Sequence, residues 1–467
     1  MMSATELTVI PSSTSGKPAI HRPDLQLRRV LTLWDVVFYG IVLIQPVAAV
    51  PLFGIADRLS DGHVVTTILI AMIAMMLTAF SYGRMATVYP AAGSAYTYVG
   101  RELNPHLGFL TGWAMTLDYL VIPIINTIYG ALTLARLFPA VPYAAWAAMI
   151  AVLITYLNLR GIRSTARSNI IMLIAMCAVI GAFVVLAVHY LAHINGIGGL
   201  FSVHPFYTPG TTHFSSIATA TSLAALTYIG FDGVTTLSEE VHDPRRNILR
   251  ATVLVCLLTG VFSGIQVYLA QLVWPDFSTF PNIETAFMDV SKRVGGLALF
   301  DGMAFILIIA SVGSGLSGQA GAARLLFGMG RDNALPRKLF AHIDSKHRVP
   351  TYNLWVIGLI AFLGAMFLNW ERAAELLNFG AFLAFMGVNL AALKHFHFSS
   401  ALTDKRRVLR DLLLPASGFL FCLWIWWNLP RPAKIVGGIW FIGGTVYNAV
   451  ITQGFRKQPM MIDFSES

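Results

Sequence analysis

The chain has 467 residues, 56% of them hydrophobic and 12% charged, with a mean hydropathy of +0.68. A soluble domain carries about 25% charged residues, so a large soluble core is excluded and a polytopic membrane protein is indicated. The net charge of +9 could suit a nucleic-acid binder, but its distribution along the chain argues for membrane topology instead.

Residues 1–30 form a polar tail rich in Pro, Ser, Thr and Gly. The tail lacks an apolar run and a small-residue cleavage site, so it does not read as a signal peptide. A helix needs about 20 apolar residues to cross the hydrocarbon core. On that criterion twelve spans are predicted, at 33–57, 64–82, 106–135, 142–158, 168–190, 216–238, 249–273, 298–328, 353–369, 374–394, 411–428 and 435–453. The run 93–103 reads as a short amphipathic helix leading into the third span. Cys177, Cys256 and Cys422 all lie in apolar runs. Isolated thiols of that kind are small core residues, so neither a disulfide nor a metal site is expected.

Lys and Arg fix the orientation. With the N-terminus in the cytoplasm, 25 of the 32 fall on the cytoplasmic side. The outer side keeps Arg58, Arg136, Lys292, Arg293, Arg372, Arg431 and Lys434, and the 191–215 loop, which has none, is external. This is the positive-inside asymmetry, and it accounts for the basic charge without nucleic acid. Both termini are then cytoplasmic, as an even span count requires.

Two spans are interrupted. The first carries Gln45-Pro46-Val47-Ala48-Ala49-Val50-Pro51, and the sixth carries Tyr228-Ile229-Gly230-Phe231-Asp232-Gly233. Proline removes a backbone donor and glycine loosens the chain, so each breaks a helix. Matched breaks in two halves are the sequence pointer to a transport site at the membrane midplane. Their odd offset of five spans places the halves in opposite orientation, an inverted repeat of five plus five helices with two more at the end. The expected divisions are a cytoplasmic tail (1–30), a first repeat (31–190), an external loop (191–215), a second repeat (216–396), two final spans (397–453) and a cytoplasmic tail (454–467).

Several strings resemble the amino acid–polyamine–organocation permeases. They include Ser60-Asp61-Gly62-His63-Val64, Ser81-Tyr82-Gly83-Arg84, Tyr89-Pro90-Ala91-Ala92-Gly93-Ser94, Asn104-Pro105-His106-Leu107-Gly108-Phe109 and Leu117-Asp118-Tyr119-Leu120. Gly230-Phe231-Asp232-Gly233, Gly328-Met329-Gly330-Arg331-Asp332-Asn333 and Asn378-Phe379-Gly380-Ala381 continue the pattern. The resemblance covers residues 28–428 and is strongest to the bacterial putrescine importers. It implies an all-α membrane protein of LeuT-like fold in a bacterial inner membrane. It also implies alternating access, substrate binding between the first and sixth helices, and a scaffold of spans three to five and eight to ten.

The chemistry of the breaks sharpens this. A half-helix N-terminus offers free N–H groups and suits a carboxylate, whereas a half-helix C-terminus offers carbonyls and suits an ammonium. A diamine needs acceptors or aromatic faces at both ends. The first break offers Ile44, Gln45, Pro46, Val47 and Ala48, or else is a proline kink in a packed helix. Asp118 in the third span and Asp232 in the second break are ionisable groups at membrane depth, functional hypotheses by default. Asp118 is expected to meet a substrate ammonium or carry a proton, unless neighbouring helices simply satisfy it. Asp232 could bind an amine, but capping the second half of its helix is favoured. Gly230 supplies the break; Tyr228 and Phe231 are either an aromatic wall or packed core. Glu239 and Glu240, near Arg245 and Arg246, form a candidate ion-pair gate. Ser314 and Ser317 in span eight are candidates for ion coupling or for close helix packing. Some proton-coupled family members carry a lysine in span five where this chain has Met176.

These readings favour a secondary transporter of a small amino compound, putrescine-like amines ranking ahead of amino acids. An exchanger of such compounds, or a channel, is the alternative. No enzyme constellation or phosphate-binding loop is legible, so neither catalysis nor a cofactor is expected. H+ ranks ahead of Na+ as the coupling ion. The expected partners are the small-molecule substrate and the lipid bilayer.

Overall fold

The structure, a computed structural model, describes residues 31–89, 94–160, 166–210, 212–238, 240–331, 336–344, 349–398 and 408–459. Among these residues it is all-helical, and the single bridge joins Leu31 to Val241. The first predicted span is two helices, α1 (Leu33–Ile44) and α2 (Phe53–Leu59). Then come α3 (Val64–Val88), α4 (Ser94–Glu102), α5 (Pro105–Leu137), α6 (Tyr143–Leu159) and α7 (Ala166–Asn195). The sixth span is α8 (Phe214–Ala224), a tightened turn at Ala225–Tyr228, and a 3₁₀ segment at Phe231–Leu237. The remainder is α9 (Pro244–Val273), α10 (Ala286–Arg331), α11 (Arg337–Phe340), α12 (Thr351–Phe367), α13 (Trp370–Leu393), α14 (Leu414–Trp427) and α15 (Arg431–Ile451). Nine helical stretches among the described residues are long and apolar enough to cross a membrane, and Leu33–Ile44, Tyr143–Leu159 and Thr351–Phe367 are shorter apolar helices.

Local chemistry sets where the helices start. Thr32 and Asp35 form a reciprocal capping box at α1. Asn104 Oδ1 accepts from the His106 N–H at 2.8 Å, and Pro105 occupies the first helical position of α5. Asn369 caps α13 through the Arg372 N–H at 2.9 Å.

Helices five spans apart pack side by side. α1 lies on the Phe231–Leu237 segment, α3 on α9, α5 on α10 and α6 on α12. Small residues permit the closest approaches. A Cβ on Gly83 would sit 2.6 Å from Leu249 Cα, and one on Gly380 2.4 Å from the Ala114 carbonyl oxygen.

Two boundaries differ most from the sequence reading. The span expected at 298–328 is preceded by a further helical stretch from Ala286, separated from it by non-helical Gly296. That stretch carries Asp289, Lys292 and Arg293, so it is amphipathic and invisible to a hydropathy criterion. The second span, expected to stop at 82, runs on to Val88, because Arg84 is satisfied inside the protein. Its guanidinium pairs with Asp411 at 2.7 Å, bonds the Arg410 carbonyl at 3.0 Å and lies 3.5 Å from the centre of the Phe396 ring.

Both members of the Arg84–Asp411 pair are buried. Removing one partner of such a pair strands the other charge, at about 3–5 kcal/mol. Asp411→Ala is therefore expected to lower the thermal unfolding midpoint of the detergent-purified protein by several degrees. An unchanged midpoint would refute the anchoring role.

Candidate functional site

α1 ends because Gln45 turns to φ 71°, ψ 132° and Pro46 has no N–H to offer. The chain then runs through short turns, with the Ala48 N–H on the Gln45 carbonyl at 3.1 Å and the Val50 N–H on the Val47 carbonyl at 3.0 Å. The N–H groups of Val47 and Ala49 meet no protein acceptor among the described residues. Two amide side chains from opposite sides hold this segment. Gln45 Nε2 donates to the Ala310 carbonyl of α10 at 3.1 Å, and Gln266 Nε2 of α9 donates to the Pro46 carbonyl at 3.0 Å.

The second break is made by Ile229, which is extended, and Gly230 at φ 116°. That backbone angle is open to glycine and strained for other residues. The breaks touch, for a Cβ on Gly230 would lie 3.4 Å from Ile44 Cγ1 and 3.6 Å from the Leu43 carbonyl carbon. Ile44, Pro46 and Val47 are buried, while Gln45 and Ala48 are partly accessible.

Asp118 and Asp232 come together here. Their carboxylates are close enough to repel, and Tyr82 and Tyr119 lie within the same field. The Asp232 carboxylate faces the backbone N–H groups of Gly230, Asp232 and Gly233 at the start of its half-helix. Asp118 has no such support; its Oδ1 is buried without a hydrogen-bond partner. The pair is thus asymmetric, with one carboxylate committed to the backbone and the other open to a guest.

The other expected residues divide. Tyr228 is fully buried and donates to the Ile68 carbonyl at 2.8 Å. Phe231 is fully buried against Tyr82 and Phe385, at ring separations of 5.4 and 5.2 Å. In this conformation both are packed core next to the site. Ser314 accepts from Asn126 Nδ2 of α5 at 3.0 Å, and Ser317 turns its hydroxyl back to the Gly313 carbonyl at 3.2 Å. Span eight meets the first break one turn earlier, through the Ala310 carbonyl. Glu239 lies outside the described residues. Glu240 makes no ion pair among the described residues; its carbonyl instead accepts from the Leu31 N–H at 3.0 Å, tying the start of α1 to the end of the second break.

Sequence reasoning missed Gln266 and the far end of α2. Gln266 was readable as one of two amides, with Gln271, in an apolar span. At the α2 end, Arg58 pairs with Glu371 of α13 at 2.8 Å beside a cavity of about 390 Å³ that Ile55, Asn282 and Glu284 also line.

Comparison with known proteins agrees with this architecture. The model of the amino acid permease family matches residues 36–431, so the chain belongs to that family. It is a multi-pass membrane permease of the amino acid–polyamine–organocation superfamily, a transporter and not an enzyme. It is 35% identical over 437 residues to the low-affinity putrescine importer PlaP of Escherichia coli K12, covering 93% of this chain and 96% of that protein. It is 27% identical to the branched-chain amino acid permease BcaP of Lactococcus lactis, covering 91% and 95%, and 26% identical to the methylthioribose transporter of Bacillus subtilis, covering 90% and 92%.

Gln266 is fully buried, so Gln266→Leu leaves the Pro46 carbonyl without its donor. An unsatisfied buried acceptor costs about 1–3 kcal/mol. The variant should unfold at lower temperature than the wild type in the same detergent. An equal or higher midpoint would show that water replaces the amide at no cost.

Proposed function

We propose that this permease is a secondary active transporter of a small organic cation, with putrescine-like diamines as its first substrates and amino acids as the second reading. The single observation that carries the diamine reading is the buried, unpartnered Asp118 oxygen next to Asp232 where the breaks meet. An isolated carboxylate in that position needs a cationic guest or a proton. The similarity to a putrescine importer supports the same substrate class. The open N–H groups of Val47 and Ala49 favour the amino-acid reading, because they could receive a carboxylate.

Twelve spans in a LeuT-like arrangement are part of this proposal. The side-by-side packing of α1 with Phe231–Leu237, α3 with α9, α5 with α10 and α6 with α12 supports an inverted five-plus-five repeat, with α14 and α15 added. The distribution of basic residues supports cytoplasmic termini, and the similarity to a bacterial putrescine importer supports a bacterial inner membrane. On that orientation the Arg58–Glu371 pair lies outside and the Leu31–Val241 bridge lies inside. Alternating access is then a motion of the broken helices against α5, α6, α10 and α12. Net uptake, with H+ ahead of Na+ as coupling ion, ranks above exchange.

The test is uptake of radiolabelled putrescine into proteoliposomes, with cadaverine, spermidine, arginine and leucine as competitors. Saturable uptake blocked by diamines is expected. Uptake blocked only by amino acids would overturn the diamine reading, and unsaturable leak would favour a channel. A charge-assisted hydrogen bond is worth about 1.5–3 kcal/mol, so Asp118→Asn should raise the apparent KM for the diamine roughly 10–100-fold. An unchanged KM would remove Asp118 from the site.

A further inference from the structure

Five residues beyond the first break, α2 buries a carboxylate that the substrate site does not use. Asp57 is 0% exposed, and neither of its carboxylate oxygens has a hydrogen-bond partner. The Val64 N–H at the start of α3 lies close enough to favour the carboxylate but does not meet hydrogen-bond geometry. Its own backbone is fully engaged, the Asp57 carbonyl accepting from the Gly62 N–H at 2.8 Å and from Ser60 Oγ at 3.2 Å. The orphaned atoms are therefore those of the side chain alone.

No cation compensates it. α2 packs on α3, α8, the turns at Phe277–Thr279 and Ile283–Thr285, and α10. At the ends of those elements beside α2 stand His63, His213, Asp276, Glu284, Asp289, Lys292 and Arg293, while Tyr82, Arg84, Asp301 and Arg324 lie farther along α3 and α10. Lys292 lies over the Phe300 ring, Arg293 donates to the Tyr190 hydroxyl at 3.0 Å and Arg84 is held by Asp411. His63 places Nδ1 on the Ser60 carbonyl at 2.9 Å and Nε2 on the Thr212 hydroxyl at 3.1 Å. Asp289 is paired with Arg136. Arg58, the neighbour in sequence, points to Glu371 of α13. None reaches Asp57.

A bare carboxylate sealed in such a place costs several kcal/mol, and a protein escapes that cost by neutralising the group. The seal is local, for Asp57 is covered while the adjoining Arg58 side chain is 43% accessible and spans to Glu371 across the cavity. Gly54, one turn before Asp57 on the same face of α2, backs directly onto the Ile283 carbonyl; parting α2 from Ile283–Thr285, with release of the Arg58–Glu371 pair, would bring the water that Arg58 already touches to Asp57. We propose that closing this end of the transporter takes up one proton at Asp57: the closed conformation accepts the neutral acid, and the carboxylate favours the open one. External pH thereby sets the balance between the two. The proposal rests on the alternating-access reading, and gives proton coupling a specific residue at the outer gate.

The test needs no substrate, so it fails or succeeds separately from the substrate assignment. Ile55, buried and lining the cavity, is replaced by Cys in a Cys177→Ser background. Labelling by a membrane-impermeant maleimide is followed in liposomes as external pH is raised, each rate normalised to the same protein unfolded in detergent. One proton per closure shifts the open-to-closed ratio by up to about tenfold per pH unit. Labelling should accelerate with pH when Asp57 is present and stay slow and flat in Asp57→Asn, whose side chain is permanently uncharged. Asp57→Glu should retain the pH dependence. A flat profile with Asp57 intact overturns the proposal whether or not the Asn variant folds. So does an equal slope in Asp57→Asn.

Discussion

A helix that breaks inside hydrocarbon frees N–H and C=O groups that lipid cannot satisfy, at several kcal/mol each. The centre of this molecule is organised around that constraint. The Pro46 carbonyl is taken by Gln266 from α9, and Gln45 reaches the Ala310 carbonyl of α10. The second break is closed by Asp232 over its own N–H groups. Among the groups left without a protein partner at the breaks are the Val47 and Ala49 N–H groups and one oxygen of Asp118, with Gln266 Oε1 and the Thr227 and Tyr82 hydroxyls beside them. A substrate is a set of polar groups that can complete them. In the proposed function, the same breaks that endanger the fold supply the recognition chemistry.

The two ends of the molecule are closed by different kinds of interaction. At the basic end, a backbone bridge between Leu31 and Val241 ties α1 to the segment after the second break, so the two half-helices are held together as a pair. At the α2 end, closure rests on a partly accessible ion pair, Arg58 with Glu371. Such pairs contribute at most about 1 kcal/mol. The first interaction suits elements that move together, and the second suits a contact that opens and recloses. The buried Arg84–Asp411 pair belongs to neither. It fixes α3 to the start of α14 by the same rule that makes an unpaired buried charge so costly.

Broad features were legible in the sequence because they depend on local chemistry. The paired prolines at 46 and 51 and glycines at 230 and 233 mark the two breaks, whereas the lone Pro123 leaves α5 continuous. Asp118 and Asp232 were visible as ionisable residues inside apolar runs. The helix at 286–295 escaped because it is amphipathic and precedes a non-helical glycine. The α3 extension escaped because its partner, Asp411, is more than three hundred residues away.

The sequence by itself determined the class of molecule, the positions of most of its helices and the place of its two interruptions, since hydropathy, proline and glycine act over a few neighbouring residues. Only the tertiary structure decided which polar groups are answered. Gln266 becomes a clamp on the first break, Ser314 a partner for Asn126, and Tyr228 and Phe231 core packing because of what lies across from them. Asp57 stands out because both its carboxylate oxygens are buried without a partner among the described residues. Burial and pairing belong to the space around a side chain, and that space is assembled from segments far apart in the chain.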